Sequence, residues 1–274
     1  MNTPLSVTSS DWLKLSTSRL KFSGIGTAHL DVLVLLEDCL NQERGYLLAH
    51  PEQILTAVQI RRLNVRLEQR LKHIPLAYVR RKSEFYGRVF YIDERVLEPR
   101  PETETMIDLF AKLPIDQQSI VADIGTGSGC IGITIKLDHP TMQVDLYDID
   151  QPALSVARLN ANRFKIKVNF YRTDLLTTNH GPYNVILANL PYVPTKYKIN
   201  EAVANEPKIA IFGGSDGLDV YRQLFKQLTD LNWRPDYILT ESLPFQHQSL
   251  HQIATKSQFQ LIDTDDFIQC FKAI

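Results

Sequence analysis

Residues Ile120-Val121-Ala122-Asp123-Ile124 run directly into Gly125-Thr126-Gly127-Ser128-Gly129, and Ile131, Ile133, Ile135 and Leu137 continue beyond them. An apolar run of this length suits a buried strand and is too short for a helix. The glycines let the backbone turn sharply and approach a ligand closely, and the residues after them have the character of a helix. A strand feeding a helix through such a turn belongs to a doubly wound α/β sheet. Gly127, Gly129 and Gly132 also fit the spacing G-x-G-x-x-G of a dinucleotide fingerprint. That match is weak, because it is offset by one glycine from the strand end where the fingerprint should begin.

The alternation continues downstream. Val144-Asp145-Leu146-Tyr147-Asp148 reads as a second strand, with Asp148 at its end, about 20 residues past the glycine loop, where an acid can take both hydroxyls of a ribose. The plainer reading makes this region a helix cap, since Asp150, Gln151 and Pro152 open the helix Ala153 to Asn162. Val168-Asn169-Phe170-Tyr171 is a third strand, followed by Asp174-Leu175. There an acid can accept from an adenine amino group while its apolar neighbour lies against the ring, or the pair can form a simple turn.

Asn184 to Ala188 is the fourth strand, and Asn189-Leu190-Pro191-Tyr192 breaks it at once, because proline has no N–H to extend a ladder. An amide, a backbone carbonyl and an aromatic ring thus collect at the carboxyl edge of a central strand, where open parallel sheets bind ligands. The chemistry that suits this group is methylation of a planar NH2. The lone pair of such a nitrogen is delocalised, and two acceptors on its hydrogens favour a more pyramidal, more nucleophilic geometry. The side-chain oxygen of Asn189 and the carbonyl of Leu190 can be those acceptors, Pro191 stiffens the turn, and Tyr192 offers a face for stacking. A plain strand-ending turn is the competing reading.

The 274 residues allow one large or two modest domains. A net charge of −1 argues against a general nucleic-acid coat. No run is long enough for a membrane span, and Met1-Asn2-Thr3-Pro4 shows no secretory signal. Cys39, Cys130 and Cys270 are scattered, which fits reduced thiols in the cytoplasm better than disulfides or a metal site. Residues up to about Arg81 read as helical: Ser10-Asp11 can cap a helix from Trp12, Val32 to Leu40 has helical spacing, and Ile60, Leu63, Leu67 and Leu71 form one face. Arg61, Arg62, Arg66 and Arg70 read as its solvated side. Pro75-Leu76-Ala77-Tyr78 breaks the pattern, and Phe85 to Ile92 resembles a hairpin around Gly87. Pro101 suits a helix start, with Arg100 and Glu102 either in a stiff linker or in an active-site wall. After Tyr192 the chain is loop-like to about Ile209. A glycine-rich stretch, a helix over Val220 to Leu228, a strand at Tyr237 to Thr240 and a closing hairpin follow.

Leu76-Ala77-Tyr78, Glu84-Phe85-Tyr86-Gly87, Pro99-Arg100-Pro101-Glu102-Thr103-Glu104, Asp123 to Gly129, and Glu206-Pro207 with Gly213-Gly214-Ser215-Asp216-Gly217-Leu218 together resemble the protein-(glutamine-N5) methyltransferases of peptide chain release factors, from about Leu20 to Leu239. The resemblance implies an N-terminal helical substrate-recognition domain (1–82), a β-hairpin link (83–98) and a seven-stranded, Rossmann-like class I methyltransferase domain (99–274). It implies S-adenosyl-L-methionine as cofactor and no metal. Gly125, Thr126, Gly127, Ser128 and Gly129 would take the cofactor's amino-acid end, Asp148 its ribose, and Asp174 with Leu175 would border its adenine; Asn189 would also contact the cofactor. Asn189, Leu190, Pro191 and Tyr192 would bind the glutamine of the Gly-Gly-Gln motif of a class I release factor. The protein would act in the cytoplasm, as a monomer, with no nucleic acid required.

Three departures stand out. The family usually has Asn-Pro-Pro-Tyr, and Leu190 replaces the first proline; leucine keeps the carbonyl but adds an N–H that needs a partner. Asn-Leu-Pro-Tyr is typical of ribosomal-RNA adenine dimethyltransferases, which keeps an adenine N6-methyltransferase in view. Glu241-Ser242-Leu243-Pro244-Phe245-Gln246 replaces the family's Glu-Ile-Gly segment. Together with Leu190, this divergence leaves an inactive cofactor-binding homologue as a further alternative.

Overall fold

The computed structural model describes residues 7–178 and 180–274; Met1-Asn2-Thr3-Pro4 lies outside them. The chain forms two compact units, one reaching to Arg81 and including Asn200–Asn205, the other holding Lys82–Ile199 and Glu206–Ile274.

The first unit is helical: α1 (Ser9–Phe22), α2 (Ala28–Leu40), α3 (Arg44–Ala49), α4 (Ala57–Leu71) and α5 (Leu76–Arg80). The cap of α1 is Thr8, not Ser10 as the sequence suggested. Thr8 Oγ1 accepts from Asp11 N at 3.1 Å, and the Asp11 carboxylate accepts from Thr8 N at 3.3 Å, a reciprocal capping box. Trp12, Leu20, Val32, Leu35, Leu36, Leu63 and Leu67 form the core. Arg70 departs from the expected solvated face. It is buried, and its Nε and Nη2 donate to Asp31 Oδ2 at 2.9 and 2.8 Å, so a charge that could not be left unpaired there has its partner. The helical pattern breaks near Pro75 as expected, but α4 already ends at Leu71, and Pro75 stands at the N-cap of α5, so Leu76 to Tyr78 are helical again.

The second unit begins with a hairpin, β1 (Ser83–Phe85) and β2 (Arg88–Phe90), whose Phe85 and Phe90 are buried. A 3-10 turn at Pro101–Thr103 leads into α6 (Glu104–Ala111). Then come β3 (Ile120–Ile124), α7 (Cys130–Asp138), β4 (Gln143–Asp148), α8 (Gln151–Arg163), β5 (Asn169–Arg172), β6 (Val185–Ala188), α9 (Asp219–Asp230), β7 (Tyr237–Glu241), α10 (His247–Lys256), β8 (Phe259–Asp265) and β9 (Ile268–Ala273). Residues β3 to β9 make one seven-stranded sheet in the order β5-β4-β3-β6-β7-β9-β8, parallel except for β9, which runs antiparallel to both neighbours. Helices cover both faces. Residues of α6, α7 and α8 pack on Val121, Leu146, Val185, Leu187 and Leu239. Residues of α9 and α10 pack on Ala122, Ile186, Ile238 and Phe271. All four residues of β6 are buried, as expected of a parallel strand covered on both sides. The chain leaves β3 toward β4 and β5 on one side and later returns through β6 to β7 on the other. The crevice at the carboxyl ends of β3 and β6 is therefore the switch point where such sheets bind ligands. Among the described residues no helix is long and apolar enough to cross a membrane, and all three cysteines are free thiols.

Candidate active site

The crevice opens into a cavity of about 330 Å³. Its walls include the loop after β3 (Gly125 to Ser128), Asp148 and Asp150 after β4, Thr173 to Leu175 after β5, and Asn189 to Pro191 after β6. Residues 95–100 and Thr103 close another side. The candidates expected from the sequence therefore surround one space, with three exceptions. Gly129 stands behind the loop as the N-cap of α7, Tyr192 lies outside the lining, and Glu102 is exposed and does not line the wall. Arg100 does line it.

The loop after β3 is held by two carboxylates. Asp123 Oδ2 accepts from Thr126 Oγ1 at 2.6 Å and from Gly132 N at 2.9 Å. It thereby satisfies an N–H of the first turn of α7 that Gly129, lacking a side chain, cannot reach. Complete burial pushes the Asp123 carboxyl up to about 6, against those two bonds. Asp148 Oδ2 accepts from Gly127 N, and its Oδ1 accepts from Asp150 N, both at 2.9 Å. Asp150, not Asp148, is the N-cap of α8, so Asp148 faces the cavity as a brace of the glycine loop. Burial raises its pKa, opposed by the Asp150 and Gly127 bonds. Gly125 has φ +72°, and a Cβ there would meet Leu190 Cδ2 at 2.9 Å; the two loops of the switch point touch at that glycine.

Across β5, Asp174 Oδ2 accepts from Gln223 Nε2 at 2.8 Å. Leu175 is buried at φ +52°, a left-handed conformation that costs a leucine about 1–2 kcal/mol and that collects at functional walls.

The Asn189 strap is the most constrained part. Asn189 Nδ2 donates to Glu241 Oε2 at 2.9 Å and to Thr103 Oγ1 at 3.2 Å. Tyr192 Oη donates to Glu241 Oε1 at 2.9 Å. No described residue donates to Asn189 Oδ1 or to the Leu190 carbonyl. Glu241 ends β7 beside β6, is 1% exposed, and burial pushes its carboxyl up to about 7, with Glu102 adding to the rise and Thr103, Tyr192 and Asn189 opposing it. The glycine-rich stretch folds under the strap. Val193 N donates to Ile211 O, and Gly213 N to Val193 O. Gln246 Nε2 donates to both Tyr192 O and Asp216 O at 2.7 Å. A Cβ on Gly217, at φ +84°, would lie 2.0 Å from Tyr192 O. The segment Glu241 to Gln246, which diverges from the expected family pattern, thus supplies two of the strap's anchors. Arg100 Nη2 donates to the buried Glu206 at 2.7 Å, tying the proline-rich segment to the loop after β6.

The sequence showed Thr103 only as part of the proline-rich motif and Glu241 only as part of a divergent segment, gave neither a role, and did not single out Tyr221. The signal for Glu241 was present: an acid directly after the apolar run Tyr237 to Thr240, at the same sheet edge as Asn189.

Residues 11–80 match the model of the PrmC N-terminal domain, and residues 103–207 match that of the methyltransferase small domain. The release factor glutamine methyltransferase of Coxiella burnetii is 36% identical over 199 residues, 72% of each chain. That of Koribacter versatilis is 38% identical over 205 residues, 73% of each chain. The chain belongs to the release factor glutamine methyltransferase family. As a member it is an enzyme of the methyltransferase class, and its sheet has the expected class I architecture. The fold is also shared with the catalytic domain of hMettl16 in complex with a MAT2A 3'UTR hairpin (TM-score 0.54, 13% identity, 81% of this chain and 84% of that one). A methyltransferase from Pyrococcus furiosus shares it too (TM-score 0.51, 15% identity, 80% and 100%). Within the family, the matched small-domain segment runs from Thr103, which holds Asn189, to just past Glu206, which holds Arg100.

Proposed function

We propose that this enzyme transfers a methyl group from S-adenosyl-L-methionine to the side-chain amide nitrogen of the glutamine in the Gly-Gly-Gln motif of a class I peptide chain release factor. The observation that carries the reading is the anchoring of Asn189. With Nδ2 committed to Glu241 and Thr103, Oδ1 is the atom left to accept from an amide NH2, and the Leu190 carbonyl beside it is a second acceptor.

The residues present suit the cofactor. Gly125 to Ser128 leave room for close backbone approach, Asp148 suits a ribose, and Asp174 with Leu175 suits an adenine. When bound, S-adenosyl-L-methionine supplies an electrophilic methyl on a cationic sulfur. The chain's own residues orient the acceptor. Asn189 Oδ1 and the Leu190 carbonyl each take one N–H, which holds the nitrogen lone pair toward the cavity. Pro191 stiffens the turn, and Tyr192 borders the glutamine with its hydroxyl pinned to Glu241. Orienting reactants in this way supplies roughly 7–11 kcal/mol over a bimolecular encounter. A nitrogen cation formed on an amide sheds its proton readily, so no strong base is required. Residues 1–82 serve substrate recognition, and the enzyme works in the cytoplasm as a single chain.

The test offers labelled S-adenosyl-L-methionine with a purified class I release factor, the same factor with its Gly-Gly-Gln glutamine changed to alanine, and ribosomal RNA. Label on the intact factor alone is expected. Label on RNA would favour the adenine reading, and binding of cofactor without transfer would favour an inactive homologue.

A further inference from the structure

We infer that Glu241 is the positioning residue of the site: by accepting from both Asn189 Nδ2 and Tyr192 Oη, its carboxylate fixes the Asn189 amide with Oδ1, not Nδ2, turned toward the cavity. The inference deepens the methyl-transfer reading and rests on it for its consequence in catalysis.

A carboxamide is nearly symmetric in shape, so packing alone cannot tell its oxygen from its nitrogen. Hydrogen-bond chemistry must do so. The second partner of Nδ2, Thr103 Oγ1, decides the orientation only through Glu241: a hydroxyl both gives and takes, and it is left to accept only while its one proton is given to that carboxylate. An ionised carboxylate only accepts, and bonds to it are roughly twice as strong as neutral ones. Glu241 therefore makes the choice. The choice matters, because an inverted Asn189 would present N–H groups to the N–H groups of the acceptor amide.

The groups facing Glu241 come from several elements. Glu102 on the 3-10 turn raises its pKa, while Thr103, Tyr192 and Asn189 hold the charged form by hydrogen bonds. Tyr221 of α9 and Cys130 of α7 feel its charge. Arg100 acts on Tyr192 beside it. Tyr192, Tyr221 and Cys130 all have raised pKa values. Glu241 is thus the strap's titrating group near neutral pH, at about 7.

The experiment has an activity arm and a spectroscopic arm. E241Q keeps the shape but offers a donor as well as an acceptor, so the amide can invert. We expect kcat to fall on the order of 10²-fold, the usual effect of losing one oriented transition-state group, with cofactor affinity unchanged. N189D alone sets a second carboxylate against Glu241 and should also be impaired. The double variant N189D/E241Q restores an acceptor toward the cavity and a donor–acceptor pair behind it, so it should recover at least about tenfold over either single change. A merely structural Glu241 would give no such rescue. In the wild type, kcat/KM should fall as pH drops through about 7, and that inflection should be absent in E241Q. Independently of any acceptor, the side-chain amide 15N–1H signals of Asn189 should shift with the same midpoint in the wild type and lose it in E241Q. If those signals ignore both pH and the substitution, or if E241Q turns over within about threefold of the wild type, the assignment is overturned. A wild type that methylates no release factor while its Asn189 amide still follows Glu241 would sink the methyl-transfer reading and uphold the positioning.

Discussion

The phenolic oxygen of Tyr221 accepts the backbone N–H of Leu190 at 3.2 Å, and its own proton is shared between the carbonyls of Ala188 and Glu241. Leu190 stands where the resemblance leads one to expect a proline, and its N–H is the one group that a leucine adds there. Both residues are buried, so an unpaired N–H there would carry a desolvation cost of about 1–3 kcal/mol. Tyr221 removes that cost and links the strap to the last residue of β7.

Y221F should therefore destabilise the protein by about 1–3 kcal/mol. The loss should be smaller when introduced into L190P, which has no N–H to strand. A double-mutant cycle by denaturant unfolding should give a coupling of at least about 0.5 kcal/mol. Additive effects of the two changes would show that Tyr221 does not compensate for Leu190.

N189A removes an acceptor from the cavity and two donors from Glu241 and Thr103. The expected loss in kcat/KM for the release factor is about 3–4 kcal/mol, with cofactor affinity within roughly threefold of the parent by calorimetry. A turnover rate within about tenfold of the parent would remove Asn189 from the proposed role.

G217A places a Cβ at φ +84° and 2.0 Å from Tyr192 O. Left-handed alanine costs about 1–2 kcal/mol before the clash is counted, and relief of the clash must push the strap. Thermal unfolding should drop by several degrees, and kcat should fall although Gly217 lies outside the cavity lining. An active variant of native stability would show that the loop does not support the strap.

Glu241 also sets a pH dependence of stability. Its carboxyl titrates near 4.5 when unfolded and at about 7 when folded. Between those values the folded state binds more protons, so stability falls as pH rises through the window, by about 3 kcal/mol in all. Asp123, raised from 3.8 to about 6, acts in the same sense. E241Q should thus be more stable than the wild type at pH 8 and close to it near pH 4.5, while being the poorer catalyst. Equal stabilities at pH 8 would mean that the buried charge is not costly.

Much of this was readable in the chain. β3 and β6 were legible because a central parallel strand buries both faces and becomes an uninterrupted apolar run. The glycine loop was legible because its backbone conformation excludes other residues. α10 was not found: its sequence, His247 to Lys256, buries only Leu250 and Ala254, too few to print a helical period. The buried Arg70 read as solvent-facing because its partner, Asp31, is distant in sequence. The loops after β3, β4, β5 and β6 were each singled out in the sequence, but residues 95–97, Ile209, Ala210, Val220 and Gln223 of the cavity wall and the atoms behind the strap were not. Thr103, Tyr221 and Glu241 reach the strap from three different elements, and only the folded sheet brings them together.

In the proposed reaction the site holds a glutamine side-chain amide by two acceptors, Asn189 Oδ1 and the Leu190 carbonyl. Fragmentation mass spectrometry of a release factor after reaction with the wild-type enzyme and S-adenosyl-L-methionine tests it directly. The expected product carries a single methyl on the side-chain nitrogen of the Gly-Gly-Gln glutamine, absent when N189A replaces the wild type. A methyl on any other residue, or one that N189A still installs at the wild-type rate, would contradict it.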